Sequence, residues 1–196
     1  MKKPFITIRE MAEIGMLVAL AVILNMEFLR IQVQALGGSI DFAMVPLFVL
    51  SYRHGVIKGF FGCGIIFGII ACIYDRYGII TYPLDYLMAF GSISLAGLFA
   101  KLAFPENIKV KNVWLDRFFL TKNKLFFVLS IFVACFTRFV FHVISGMVVF
   151  STSFWASVVY NASYMVPAFL VCLIALILLY RPLVLINRIY PVDALK

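Results

Sequence analysis

The chain has 196 residues, 64% of them hydrophobic and 13% charged, with a mean hydropathy of +1.07. Soluble domains average about 25% charged residues and under about 50% apolar ones, so a soluble domain is excluded and an integral membrane protein is expected. The net charge of +8 comes from 17 Lys+Arg against 9 Asp+Glu; because the basic residues sit between apolar runs, it reads as orientation in a lipid bilayer and attraction to anionic lipid, not as nucleic-acid binding.

Met1 to Glu10 is a short basic segment with Lys2, Lys3 and Arg9, and the first helix is expected over 11–28. Glu10 and Glu13 interrupt its start and no small-x-small cleavage site follows, so the run is expected to stay as a helix and not to be removed as a signal peptide. Gly15 and Ala19, four apart, let another helix approach closely. A loop with Gly37-Gly38-Ser39 and Asp41 leads to a short second helix, 40–52, which covers about half of a hydrocarbon core and needs shielding by its neighbours. Arg53, His54 and Lys58 form a basic turn. The third helix, 56–74, carries Gly59, Gly62, Gly64 and Gly68 and reads as a close-packing helix.

After the polar turn Asp75-Arg76-Tyr77-Gly78 comes Pro83-Leu84-Asp85-Tyr86, at the head of a fourth helix expected over 84–102. An acid there either caps the helix start or faces a pocket. Lys101 to Lys124 is a long basic connection. The fifth helix, 125–150, holds Arg138 and His142 four apart on one face; Arg138 needs a partner in the membrane, with Glu13 or a backbone carbonyl as the candidates. The sixth, 156–180, has Tyr160, Asn161 and Tyr164 near its start and a kink expected at Pro167. Cys63, Cys72, Cys135 and Cys172 lie inside apolar runs without C-x-x-C spacing and read as buried small residues, so neither a metal nor a cofactor is expected.

Basic residues gather at the N-terminal segment, the Arg53–Lys58 turn, the long connection and the C-terminal tail, whereas the alternate connections hold only Arg30 and Arg76. The expected architecture is therefore an all-α membrane protein, a single unit over 1–196 with six transmembrane helices and both termini cytoplasmic. That orientation puts Asp85, Tyr77, Phe150, Trp155 and Asn161 together at the outer face, with His142 two turns below it. A carboxylate, an imidazole, a carboxamide and aromatics in one outward cavity suit a small planar, cationic ligand. Taken singly, the same residues also read as a helix–helix hydrogen bond, a cap and an interfacial aromatic belt. Catalytic signatures such as G-x-S-x-G and H-E-x-x-H are absent, so no enzyme is expected, and without a Walker A motif the chain cannot use ATP itself.

Several stretches carry a resemblance to a known family: Ala12-Glu13-Ile14-Gly15 with Ala19-Leu20-Ala21, Gly37-Gly38-Ser39 with Pro46 and Arg53-x-Gly55, Leu84-Asp85-Tyr86 with Ala96-Gly97-Leu98-Phe99, Arg138 with His142-Val143-Ile144-Ser145-Gly146, and Tyr160-Asn161-Ala162-x-Tyr164-Met165-Val166-Pro167. The chain resembles the thiamine-specific substrate-binding (S) components of energy-coupling factor (ECF) transporters, the ThiT family. The resemblance implies a six-helix unit that binds thiamine from outside and docks, through Gly15 and Ala19, onto a transmembrane coupling protein served by two ABC ATPases. It implies that Asp85 binds the aminopyrimidine, that Tyr86, His142 and Asn161 are binding positions, and that Phe150 stacks. Tyr160, Trp155 and Tyr77 complete the expected site. The pattern departs from the family where a Tyr found in some members five residues before the Asn is Ala156, beside Trp155, and where a first-loop Trp position falls near Gly37. The alternatives are an S component for another heterocyclic vitamin or, in a different class, a stand-alone proton-coupled carrier or membrane enzyme.

Overall fold

The structure is a computed structural model and describes residues 6–33, 38–105 and 121–190. Gly37, the Lys2–Lys3 segment, Lys109, Lys111 and Arg117 of the long connection, and Lys196 lie outside the described residues. Helix α1 spans Ile8–Leu24 and starts at a capping box: Thr7 accepts from the Glu10 amide while Glu10 reaches back to the Thr7 amide. It ends four residues before the expected 28, because Asn25 caps it and Met26 is extended. A short antiparallel ribbon follows, β1 (Ile31–Gln32) against β2 (Ser39–Ile40).

The next helical run, Met44–Asp75, is broken at Gly55, whose φ of +76° with ψ −174° lies outside the helical region and suits only glycine. The run is thus two helices, α2 over 44–54 and α3 over 56–75. Helix α2 is only about 16 Å long, and most of it is buried among neighbours. Helix α4 spans Ile79–Ala103 and starts five residues earlier than the expected 84. Helices α5 (Lys122–Val148) and α6 (Phe154–Ile189) begin at the side-chain caps Thr121 and Ser153. Helix α6 runs on through Pro167 and Pro182 to Ile189, past the expected end at 180. Among the described residues, Met44–Asp75, Ile79–Ala103, Lys122–Val148 and Phe154–Ile189 are long and apolar enough to cross a membrane; α1, at 17 residues, is shorter.

Helix α1 buries Ile14, Val18 and Ala21, one face at helical spacing, and leaves Gly15 and Ala19 exposed on the other. Helices α3 and α4 meet backbone to backbone: a Cβ on Gly64 would stand 2.7 Å from the Leu87 carbonyl oxygen. This close approach fixes α4 beside the turn that carries Asp85. At the end of the bundle with the Arg53 turn, Tyr52, Phe104, Phe127 and Tyr180 pack ring on ring, with centroids 5.0 to 5.5 Å apart for Tyr52–Phe104, Phe104–Tyr180 and Phe127–Tyr180. The Tyr52 hydroxyl bonds Ser130 Oγ at 2.6 Å. This aromatic cluster closes the bundle beside the Arg53 turn, and a second group of buried polar side chains lies at the other end.

Candidate substrate site

Asp85 lies in a π-helical stretch, Tyr82–Met88, that opens with Pro83. The wider turn, common at functional sites, leaves the carboxylate facing α5 instead of the chain's own backbone. Asp85 Oδ1 is 2.8 Å from His142 Nδ1, and Oδ2 accepts from Ser145 Oγ. The two side chains of the Asp85–His142 pair are 15% and 11% exposed. The helix-cap reading of Asp85 is therefore corrected: α4 starts upstream at Ile79, and the carboxylate makes no cap bond but spans to a second helix.

His142 and Ser145 stand three apart on one face of α5. In the neutral imidazole, Nδ1–H donates to the carboxylate and Nε2 keeps the lone pair. Nε2 is buried and has no hydrogen-bond partner among the described residues. The neutral imidazole can thus offer an acceptor beside the Asp85 carboxyl group.

Asn161 sits at the next layer, only 4% exposed. Its amide donates to Ser157 O at 2.9 Å and His142 O at 3.4 Å, and its oxygen accepts from the Tyr164 hydroxyl at 2.7 Å. Asn161 ties α6 to α5 and holds Tyr164 upright. The Tyr164 ring stands edge-on to His142 at 6.4 Å and to Tyr160 at 5.9 Å. Tyr77, on the α3–α4 turn, is exposed.

Tyr164 also walls a second polar space. A narrow cleft, with room for about one water molecule, is lined by Ser39, Asp41, Met44, Arg138, Tyr164 and Met165 among others. Arg138 lies one turn before His142, with its guanidinium carbon 4.4 Å above the Phe90 ring centroid and Nη1 against Met44 Sδ. The expectation that Glu13 pairs with Arg138 is corrected. Glu13 is at the opposite end of the bundle, where its carboxylate accepts from Arg53. Asp41 lines the same cleft as Arg138 and accepts from the Ala43 amide at 2.7 Å. Burial pushes the Asp41 carboxyl above its ordinary range, with Asp75 adding to that and Arg138, the Ala43 amide and Arg30 opposing it.

The remaining candidates sit apart from this core. Tyr86 is buried and turned away from His142, with its hydroxyl donating to Asp75 Oδ2 at 3.2 Å. Phe150 and Trp155 are 52% and 73% exposed, and Trp155 packs edge-on against Phe154 at 5.1 Å. Ser145 and Asp41 stand outside the residues expected from the sequence. Ser145 lies three residues after His142, a spacing that would have found it. Asp41 belongs to an irregular loop, where no periodicity points at anything. Among the described residues no cluster of His, Cys, Asp and Glu suits a metal ion.

Comparison with known proteins brings a consistent set of similarities. A curated protein of Bacillus subtilis (strain 168), described as thiamine transporter ThiT, is 34% identical over 181 residues, 86% of this chain and 88% of that protein. The solved structure of ThiT from Listeria monocytogenes superposes with a TM-score of 0.70 over 89% of this chain and 94% of that one, at 20% identity, and so shows the shared helical membrane fold. The helical, apolar architecture fits a multi-pass protein of the plasma membrane. The family model described as thiamine transporter protein (Thia_YuaJ) matches residues 11–187, nearly the whole chain, and the chain belongs to that family of non-enzymatic membrane transporters.

Proposed function

We propose that this chain binds thiamine as the substrate-binding S component of an ECF transporter. In this reading it is a single six-helix unit with both termini cytoplasmic. It captures thiamine at the outer face and delivers it to a transmembrane coupling protein driven by two ABC ATPases. The observation that carries the reading is the Asp85 carboxylate, withdrawn from water, held by His142 and Ser145, and bordered by the Tyr160–Tyr164 aromatic pair. Thiamine joins a cationic thiazolium to an aminopyrimidine. Asp85 would accept from the exocyclic amine, His142 Nε2 would take a further donor, and the tyrosines would stack on the rings. Asn161 and Tyr86 would act by holding the walls, Tyr77 would flank the mouth, and Phe150 and Trp155 would close over the ligand from the rim. Membership of the thiamine transporter family and the name of the Bacillus relative support the ligand. The absence of an ATP-binding motif in the sequence supports an engine on other chains.

The mechanism has three steps. Thiamine enters from outside, the connections before α2 and α4 close over it, and the loaded protein reorients against the coupling module. The test is purification of the chain in detergent, mass spectrometry of the small molecule it retains, and titration of the emptied protein with thiamine. Retained thiamine, or saturable binding of added thiamine, is the expected result. A chain that neither retains nor binds it overturns the reading.

A further inference from the structure

A second ion pair lies at the same end of the bundle, away from Asp85. Arg30 Nη1 is 2.7 Å from Asp75 Oδ1, and the two side chains are 11% and 17% exposed. The Arg30 guanidinium lies over the Tyr74 ring, 5.7 Å from its centroid, and the Tyr74 hydroxyl accepts from the Glu27 amide at 3.2 Å. The other oxygen of Asp75 accepts from Tyr86, the chain neighbour of Asp85. The connection leaving α1 is therefore fastened to the end of α3 and, through Tyr86, to α4.

What this fastening holds is the β1–β2 ribbon. Arg30 directly precedes β1, Ile31 pairs with Ile40 and Gln32 with Ser39. Ser39 lines the cleft, and so does Asp41, two residues further on. A two-residue ribbon cannot hold itself in place, since even isolated hairpins are marginal. An exposed ion pair would add little. This one is largely withdrawn from water, rests on an aromatic face and has its spare carboxylate oxygen satisfied, so its loss leaves a charge stranded.

We propose that Arg30 and Asp75 are a positioning pair that holds the β1–β2 ribbon, with Ser39 and Asp41, across the cleft and so sets how long a bound ligand stays. The ligand arm of this proposal rests on the thiamine reading above; the anchoring arm does not. The test compares the wild-type chain with Arg30→Met, Asp75→Asn and the double variant in detergent. Stopped-flow fluorescence gives the thiamine rates, and hydrogen–deuterium exchange reports the ligand-free amides of residues 31–33 and 38–41. Each single variant is expected to speed dissociation about tenfold with association nearly unchanged, as is usual when contacts that hold a complex are removed. The double variant should be no worse than the worse single one, because a broken pair has nothing further to lose. Ribbon amides should exchange faster in all three variants, and by a larger factor than the buried amides of α5, which separates local release of the ribbon from any loss of overall stability.

Unchanged dissociation in both single variants, with thiamine still binding, overturns the proposal, as do additive effects in the double. If Arg30→Met fails to fold, Asp75→Asn, which keeps the shape of the side chain, decides by the same measures. If the wild-type chain binds no thiamine, the ligand reading falls separately, and exchange alone decides the anchor: faster ribbon exchange supports it and unchanged exchange overturns it.

Discussion

Asp85 Oδ1 and His142 Nδ1 meet at 2.8 Å across two helices, 57 residues apart in the chain. With Ser145 on the other oxygen, the carboxylate is oriented before any ligand arrives. Asp85→Asn keeps the shape and removes the charge. It should weaken thiamine binding about tenfold to hundredfold, the scale of a lost charged hydrogen bond. Asp85→Ala should abolish tight binding. Both variants should keep their helical circular dichroism. Calorimetric titration checks this, and an unchanged affinity in Asp85→Ala counts against the site.

Part of this site was legible in the sequence and part was not, for physical reasons. Helical positions are constrained by period, so Arg138, His142 and Asn161 could be put on faces and depths from spacing and basic-residue asymmetry. The departure of Asp85 from a capping role could not be read. It depends on a π-helical turn and an earlier helix start at Ile79, which nothing in the local sequence dictates. Arg138 needed a partner, but that Glu13 is held by Arg53 at the other end of the bundle depends on three-dimensional packing. The basic turn of Arg53, His54 and Lys58 marked a boundary between two apolar runs; the positive φ of Gly55, which breaks one continuous helical run there, comes from the structure.

A buried hub at the opposite end gives a stability prediction. The Arg53 guanidinium donates through Nε and Nη2 to Glu13 on α1, and through Nη1 to Asn187 Oδ1 on α6 at 2.9 Å. His54 Nε2 lies 3.6 Å from the same Glu13 carboxylate. Arg53→Met strands Glu13 and should cost about 3 kcal/mol or more, as removal of one partner of a buried pair does. Arg53→Met with Glu13→Leu should recover much of that loss, since no charge is left unpaired. Thermal unfolding in detergent of the two variants distinguishes them; equal losses would show that the hub acts by packing alone.

Asp41 predicts a pH dependence. Its folded-state carboxyl is raised above the ordinary 3.8, chiefly by burial and opposed first by Arg138. The folded chain therefore holds this proton more tightly than the unfolded one. The contribution of Asp41 to stability is most favourable below the ordinary value, declines as pH rises from there through the raised value, and levels off above it. Asp41→Asn removes the titration and can still accept from the Ala43 amide. Melting temperatures of the two proteins, taken upward from pH 4, should show wild type falling relative to the variant across that window. A constant difference across the series would contradict the assignment.

The exposed face of α1 yields the prediction that separates binding from transport. Ile14, Val18 and Ala21 are buried against the bundle, so the helix is held by one face only. Gly15 and Ala19 lie on the other face, and a Cβ built on Gly15 meets nothing within 4 Å. Gly15→Trp therefore has no internal neighbour to displace, and the fold should tolerate it within about 0.5 kcal/mol, as for surface changes generally. Ala19→Trp should behave alike. If this face receives the coupling protein, closeness of backbones is what the small residues provide, and an indole there should abolish the assembly. Each variant should bind thiamine with wild-type affinity yet fail to co-purify with the coupling protein and ATPases and fail to support uptake in vesicles. Intact assembly with either tryptophan would place the docking surface elsewhere on the bundle.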